Sequence, residues 1–260
     1  MTLEVLIFDV DGTLADTEET HRQAFNATFM HFELAWDWSP ARYAELLNIS
    51  GGKERLVVYV DSLRVSEAER VRLQQLVPAI HREKTRLYCE LIADGRAHFR
   101  PGVGRLMREA REAGLKLAIA STTTAANVDA LIRNNLGPDA HRHFAVIACG
   151  DQVPVKKPAP DIYNLVLGEL GMSPAAGVAF EDSGNGVKAA KAAGLYTVAT
   201  PTVWTAAQDF GAADLVLKSL GERDAPLDAD DAKRAGGRWI GVPELRALHA
   251  ASAGRAERAA

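Results

Sequence analysis

The sequence predicts an α/β protein with a Rossmann-like parallel sheet, interrupted after its first strand by an all-helical insertion. Three observations carry that prediction. Short continuous apolar runs, each closed by a turn, read as strands buried on both faces, as parallel strands are. Segments of helical period alternate with those runs, and several end in glycine just before the next run. Between residues 16 and 97 the alternation stops, and helical patterns succeed one another with no strand-like run among them. The chain therefore divides into an α/β core, residues 1–15 plus 98–260, and a helical unit, residues 16–97. With 260 residues and 47% apolar composition, it is long enough for one large and one smaller unit.

Taken in order, Val5-Leu6-Ile7-Phe8 is too short for a helix and ends in Asp9-Val10-Asp11-Gly12, which makes it the first strand. Within the insertion, Ala24, Phe25, Thr28 and Phe29 repeat at helical spacing, as do Leu73, Leu76, Val77 and Ile80. Helix starts are marked by Asp16 with Glu19, by Ser39 before Pro40, and by Ser66 with Glu69. Pro78 lacks an amide donor and crowds the preceding turn, so the pattern from Ser66 to Ile92 is expected to form two shorter helices. Further strands are expected at Lys116–Ala120, Val146–Cys149, Gly177–Phe180 and Tyr196–Ala199. Gly114, Gly171 and Gly194 stop the helices before three of them. Ser219 to Gly237 is rich in charge, Ala, Pro and Gly; Arg238 to His249 reads as a short strand and a terminal helix, and residues 250–260 as a fraying end.

A formal net charge of −4, with 30 Lys and Arg dispersed along the chain, provides no field to recruit nucleic acid or an acidic membrane. Cys89 and Cys149 form neither a disulfide framework nor a metal-ligand spacing and read as buried free thiols, which fits a reducing compartment. The chain reaches Asp9 before a signal-like apolar run can finish, and no run approaches the roughly 18 apolar residues that would span a bilayer. A cytoplasmic monomer acting on a small molecule is the expectation.

Asp9 and Asp11 directly follow the first strand, at the edge where open parallel sheets bind ligands. An isolated Asp-x-Asp-Gly is as readily an Asx-type turn, but three more strand ends carry matching groups. Ser121, Thr122 and Thr123 offer a hydroxyl and turn amides to phosphate oxygens. The loop Lys156-Lys157-Pro158-Ala159-Pro160-Asp161 holds an extended backbone, with Asp161 placed to cap the next helix. Either lysine can supply a catalytic cation, and the spacing to Pro158 favours Lys157. Glu181 and Asp182 end a fourth strand, and burying adjacent carboxylates demands a cation. Magnesium suits that role, taking carboxylate, carbonyl, water and phosphate oxygens. Asp182 is the direct ligand beside Asp9 and the backbone carbonyl of Asp11, whose side chain stays free for proton transfer. Glu181 either binds through water or hydrogen-bonds the site.

Asp9-Val10-Asp11-Gly12-Thr13, Ser121, Lys157 before Pro158, and Glu181-Asp182 resemble the four ordered motifs of haloacid dehalogenase-like hydrolases, a likeness spanning residues 5 to about 200. The resemblance implies that Asp9 attacks phosphorus to form an aspartyl-phosphate, that Asp11 protonates the leaving oxygen, and that the lysine and magnesium offset phosphoryl charge. Members that act as dehalogenases lack the second aspartate, so the presence of Asp11 disfavours that chemistry.

The insertion resembles the helical cap of the subfamily that contains β-phosphoglucomutase and the CbbY-like sugar-bisphosphate phosphatases. Such caps close over substrate, so their polar residues are where specificity is expected. Glu18 and His21 lie one turn apart near the nucleophile, or are ordinary surface polarity. Tyr43 either packs in the cap with its hydroxyl at the rim or touches substrate. Gly51 and Gly52 open a helix N-terminus with Lys53 and Arg55 in its first turns, an arrangement suited to a second phosphate or to a plain turn with solvated charges. The likeness to CbbY-like proteins includes Glu18, His21, Tyr43, Gly51, Gly52, Lys53, Arg55, Ser121, Thr122, Thr123, Asn127 and Lys157, and implies Glu18, Tyr43, Lys53 and Arg55 as substrate contacts. It also implies hydrolysis of xylulose 1,5-bisphosphate, an inhibitory by-product of Rubisco. A β-phosphoglucomutase-like mutase is the alternative, since Thr17 and His21 match the hinge of that group, although its Gly-x-Ser-Arg cap turn is missing here. A phosphosugar-binding regulator with a relic site is the third reading.

Overall fold

The computed structural model describes residues 2–259. Strand β1 (Val5–Phe8) leads into four consecutive helices: α1 (Glu18–His31), α2 (Pro40–Leu46), α3 (Gly52–Ser62) and α4 (Glu67–Ala93). The alternating part follows: α5 (Val103–Glu112), β2 (Lys116–Ala120), α6 (Ala125–Leu136), β3 (Val146–Ala148), α7 (Asp161–Leu170), β4 (Gly177–Glu181), α8 (Gly184–Ala192) and β5 (Tyr196–Ala199). A two-residue strand β6 (Leu215–Val216) and helices α9 (Ala229–Ala235) and α10 (Val242–Ala259) complete the chain. Every pairing is parallel, in the order β3-β2-β1-β4-β5-β6. Chain order reverses between β1 and β4, so a crevice opens beyond their carboxyl ends, where Phe8 pairs with both Ile119 and Phe180.

The alternation of side chains along β1 separates two cores. Leu6 and Phe8 pack with Leu117, Ile119, Val178 and Phe180 on the face covered by α5 and α6. Val5 and Ile7 join Ala118, Ala120 and Ala179 under α7 and α8. The insertion has its own aromatic core, with Trp38 fully buried 4.6 Å from Phe25 and 5.0 Å from Phe29. Three apolar centres thus form, one on each sheet face and one among α1–α4.

Several expectations are corrected. Helix α4 runs unbroken through Pro78, because the proline lies on its exposed side. On the other side Leu73, Val77, Ile80, Lys84, Tyr88 and Ile92 bury one continuous stripe. Helix α1 starts after Thr17 without a side-chain cap, so Asp16 is not its capping residue, whereas Ser39 and Ser66 accept from Arg42 and Glu69 amides as their patterns predict. Asp161 is the first residue of α7, and Pro160 occupies the cap position. Arg238 to Gly241 is not a strand. Its backbone bonds instead to the preceding loop, Leu227 to Arg238 and Ile240 to Leu220, and buried Arg105 clasps the carbonyls of Gly221 and Ile240 at 2.8 and 3.0 Å. Helix α10 spans Val242–Ala259. Both cysteines are free, Cys149 buried and Cys89 half-buried. Among the described residues no helix is long and apolar enough to cross a membrane.

Candidate active site

The four strand ends converge on one buried cluster. Lys157 Nζ donates to Asp9 Oδ1 at 2.6 Å, to Glu181 Oε1 at 2.6 Å and to the Ala120 carbonyl at 2.9 Å, using all three protons of its ammonium. Burial alone would lower its pKa, but the two carboxylates outweigh that and hold it charged. Lys156 points elsewhere, to Asp151 and the Gly150 carbonyl, which settles which lysine reaches Asp9. Tyr163, on α7, donates to the same Glu181 oxygen at 2.6 Å. Burial raises the Asp9 carboxyl to about 7 despite Lys157, with the Glu181 charge adding to the rise.

Asp182 is buried, and the Thr205 hydroxyl donates to its Oδ2 at 3.3 Å. Its carboxyl is pushed well up by burial and by the charges of Asp9 and Glu181. Asp9, Glu181 and Asp182 offer ligand atoms within 4.8 Å of one another, yet Lys157 pairs only with Asp9 and Glu181. Glu181 Oε2 has no hydrogen-bond partner among the described residues. A buried acid set short of positive charge fits a hard divalent cation. Gly12, at φ +83°, lets the first loop turn against Asp182, where any Cβ would overlap the carboxylate. Arg100 fastens that turn by donating to the carbonyls of Gly12 at 2.5 Å and Thr200 at 2.6 Å.

Asp11 faces the insertion. Thr17 donates to its Oδ1 at 2.7 Å, and His21 Nε2 lies 2.9 Å from the same oxygen, though poorly aligned for a hydrogen bond. Burial pushes the Asp11 carboxyl up, but His21, Thr17 and Lys84 together bring it below the usual range. Its side chain is therefore held in place from the insertion side. Lys84 is bonded to His21 Nδ1, and burial lowers its ammonium to about 8. His21 also stacks on Tyr88, ring centroids 4.1 Å apart. Lys84 escaped the sequence reading, although a lysine on the buried stripe of α4 was a visible signal. Tyr163 and Thr205 carried none, since one sits in an apolar helix stripe and the other in a loop.

Ser121, Thr122, Thr123 and Asn127 line the pocket with Asp9, Asp11, Lys157 and Asp182, and Asn127 Nδ2 donates to Thr123 at 2.9 Å. From the insertion come Glu18, His21, Gly51, Gly52, Arg55, His81 and Lys84. Two expected substrate contacts lie outside that lining. Tyr43 is fully buried behind it, its hydroxyl donating to Glu18 at 2.7 Å and accepting from Arg55 at 3.1 Å. Lys53 turns to Asp151 on the loop after β3. The segment Thr200–Gln208 backs the site: Thr200 N bonds the Glu181 carbonyl at 2.7 Å, Thr205 holds Asp182, and Trp204 packs edge-on to Tyr43 with centroids 5.6 Å apart.

Residues 3–194 match the family model described as haloacid dehalogenase-like hydrolase. The chain belongs to the haloacid dehalogenase-like hydrolase family. Among members of this family it is 47% identical over 247 residues to the plasmid-encoded protein CbbY of Cupriavidus necator, an alignment covering 95% of this chain and 97% of that one. A crystal structure of a Rhodobacter sphaeroides CbbY variant in complex with xylulose-(1,5)bisphosphate matches with a TM-score of 0.80 and 44% identity, over 86% of this chain and 98% of that chain. The β-phosphoglucomutase of Clostridium difficile matches with a TM-score of 0.64 at 24% identity, over 84% and 92% of the two chains, which is a likeness of fold.

Proposed function

We propose that this chain is a magnesium-dependent sugar-bisphosphate phosphatase that hydrolyses xylulose 1,5-bisphosphate to xylulose 5-phosphate and phosphate. The observation that carries the reading is the Asp9–Lys157–Glu181 cluster under a polar wall of the insertion, in a chain 44% identical to a CbbY whose crystal structure holds xylulose-(1,5)bisphosphate.

Asp9 attacks the phosphorus of the C1 phosphate, forming an aspartyl-phosphate as the ester oxygen leaves, and Asp11 delivers a proton to that oxygen. Asp11 then takes a proton from water as the water attacks phosphorus, releasing phosphate and restoring the Asp9 carboxylate. Thr17 and His21 hold the acid/base at its place above the pocket floor. Lys157 and the hydroxyl and amides of Ser121 to Thr123 balance charge on the transferring group. A bound magnesium ion would be held by Asp9, Asp182 and the backbone carbonyl of Asp11, and would supply Lewis-acid polarisation of phosphoryl oxygens. Glu181 is committed to Lys157 and Tyr163, so its part is to orient the lysine.

A panel of xylulose 1,5-bisphosphate, ribulose 1,5-bisphosphate and fructose 1,6-bisphosphate with magnesium, scored by phosphate release, tests the reading. Preference for the first is expected. Indiscriminate release would retain the phosphatase and remove the substrate. Conversion of β-glucose 1-phosphate in the presence of a bisphosphate primer would favour the mutase instead.

A further inference from the structure

The segment Thr200–Gln208, which leaves the carboxyl end of β5, is bonded to the chain on both sides of Asp182. Thr200 N donates to the Glu181 carbonyl at 2.7 Å, and Gln208 Oε1 accepts from the Gly184 amide at 2.8 Å. Arg100 secures the start of the segment through the carbonyls of Thr200 and Pro201 at 2.6 and 3.3 Å. Between those ties Thr202 closes a turn. Its carbonyl accepts from the amides of Thr205 and Ala206 at 3.2 and 2.9 Å, and its hydroxyl accepts from Trp204 N at 3.1 Å. The turn buries Thr205 against Asp182.

The hydroxyls in this turn have a definite sense. Thr205 Oγ1 accepts from Thr202 N at 3.0 Å and lies 3.3 Å from both Thr202 Oγ1 and Asp182 Oδ2. A hydroxyl has one proton to give, and a carboxylate, the form of Asp182 that binds a cation, is a stronger acceptor than a second hydroxyl. The Thr205 proton therefore goes to Asp182, and Thr202 gives its own to Thr205. Oδ2 is also the oxygen for which Gly12 makes room, since a Cβ there would stand 2.2 Å from it. One oxygen of Asp182 is thus located from two sides, by a glycine on the first loop and by a hydroxyl on the loop after β5.

We infer that Thr205 is a positioning residue for Asp182, setting the orientation in which that carboxylate receives a divalent cation, and this rests on the magnesium-dependent reading proposed above. Groups that orient a metal ligand without touching the metal commonly change affinity or activity about 10- to 100-fold when removed.

The test titrates magnesium calorimetrically into wild type, Thr205→Val, Thr205→Ser and Thr202→Val, with Tm measured alongside in the absence of metal. Thr205→Val is expected to raise the magnesium Kd about 10- to 100-fold. Its loss of phosphate release from a sugar phosphate is then greatest at low magnesium and shrinks as magnesium is raised. Thr205→Ser keeps the hydroxyl and recovers most of the affinity. Thr202→Val removes a hydroxyl from the same turn but not the one facing Asp182, and is expected to lower the metal-free Tm with Kd close to that of wild type. Where Thr205→Val does not fold, Thr205→Ala carries the same comparison. A Kd for the hydroxyl-free variant equal to that of wild type, or matched by that of Thr202→Val, would reduce Thr205 to packing and overturn the inference while leaving the magnesium reading in place. A wild type that binds no magnesium would overturn both.

Discussion

In the proposed reaction Asp9 meets two conflicting demands, since attack on phosphorus needs the carboxylate while burial favours the acid. Burial and the neighbouring Glu181 charge place its pKa at about 7. The raised value means that the native state holds a proton that the unfolded chain has already released at about pH 4. This group's stabilising contribution is therefore complete below about pH 4 and lost as pH rises to 7. A divalent cation at Asp9 and Asp182 relieves the penalty, so magnesium is expected to raise Tm more at pH 8 than at pH 5, which differential scanning fluorimetry reads directly; equal shifts would put the ion elsewhere. Asp9→Asn removes the proposed nucleophile and is expected to cut turnover on the order of 10³-fold or more in single-turnover assays. Much at this scale was legible beforehand. Asp9, Glu181 and Asp182 each sit at the end of a strand, and parallel strands bring their carboxyl ends together, while Lys157 reaches the cluster from the loop between β3 and α7. Tyr43 and Lys53 were less readable, because the direction of a helix-borne side chain depends on how whole helices pack against one another.

The strands β1, β2 and β5 lie on their expected residues, since a buried apolar run bounded by turns leaves little room for sliding. Strand β6 was missed because two residues carry no period, and α4 was wrongly divided because one proline was weighed above a stripe of buried side chains. Packing overrode local preference there. The override is measurable: Pro78→Ala restores a helical amide on the exposed side, and is expected to stabilise the protein by about 1–3 kcal/mol in urea or guanidinium titrations. No gain would show that the 27-residue helix has already adapted its backbone to the proline.

Across the whole molecule, polar ties join the insertion to the core at its rim as well as at Asp11. Lys53 pairs with Asp151, and Asn185 donates to the Asn48 carbonyl at 2.9 Å. The Lys53–Asp151 pair is well exposed and is worth less than about 1 kcal/mol in such surroundings. Asp151→Ala is therefore expected to leave the unfolding free energy nearly unchanged while lowering KM for a bisphosphate, because Lys53 is released to meet the distal phosphate; an unchanged KM would confine Lys53 to the seam. Apolar contact joins the two as well, through Tyr88 and Ile92 in the core cluster and through Trp204. This indole rests on Tyr43 of the insertion, and the next residue hydrogen-bonds Asp182. Of the other three tryptophans, Trp38 also touches Tyr43, ring centroids 6.0 Å apart, while Trp36 packs on Phe29 and Trp239 lies under Arg105. The protein consequently carries its own optical gauge: with the other three replaced, the emission of Trp204 would register an ion arriving at Asp182 and a shift of the helices above it in one spectrum, without a label.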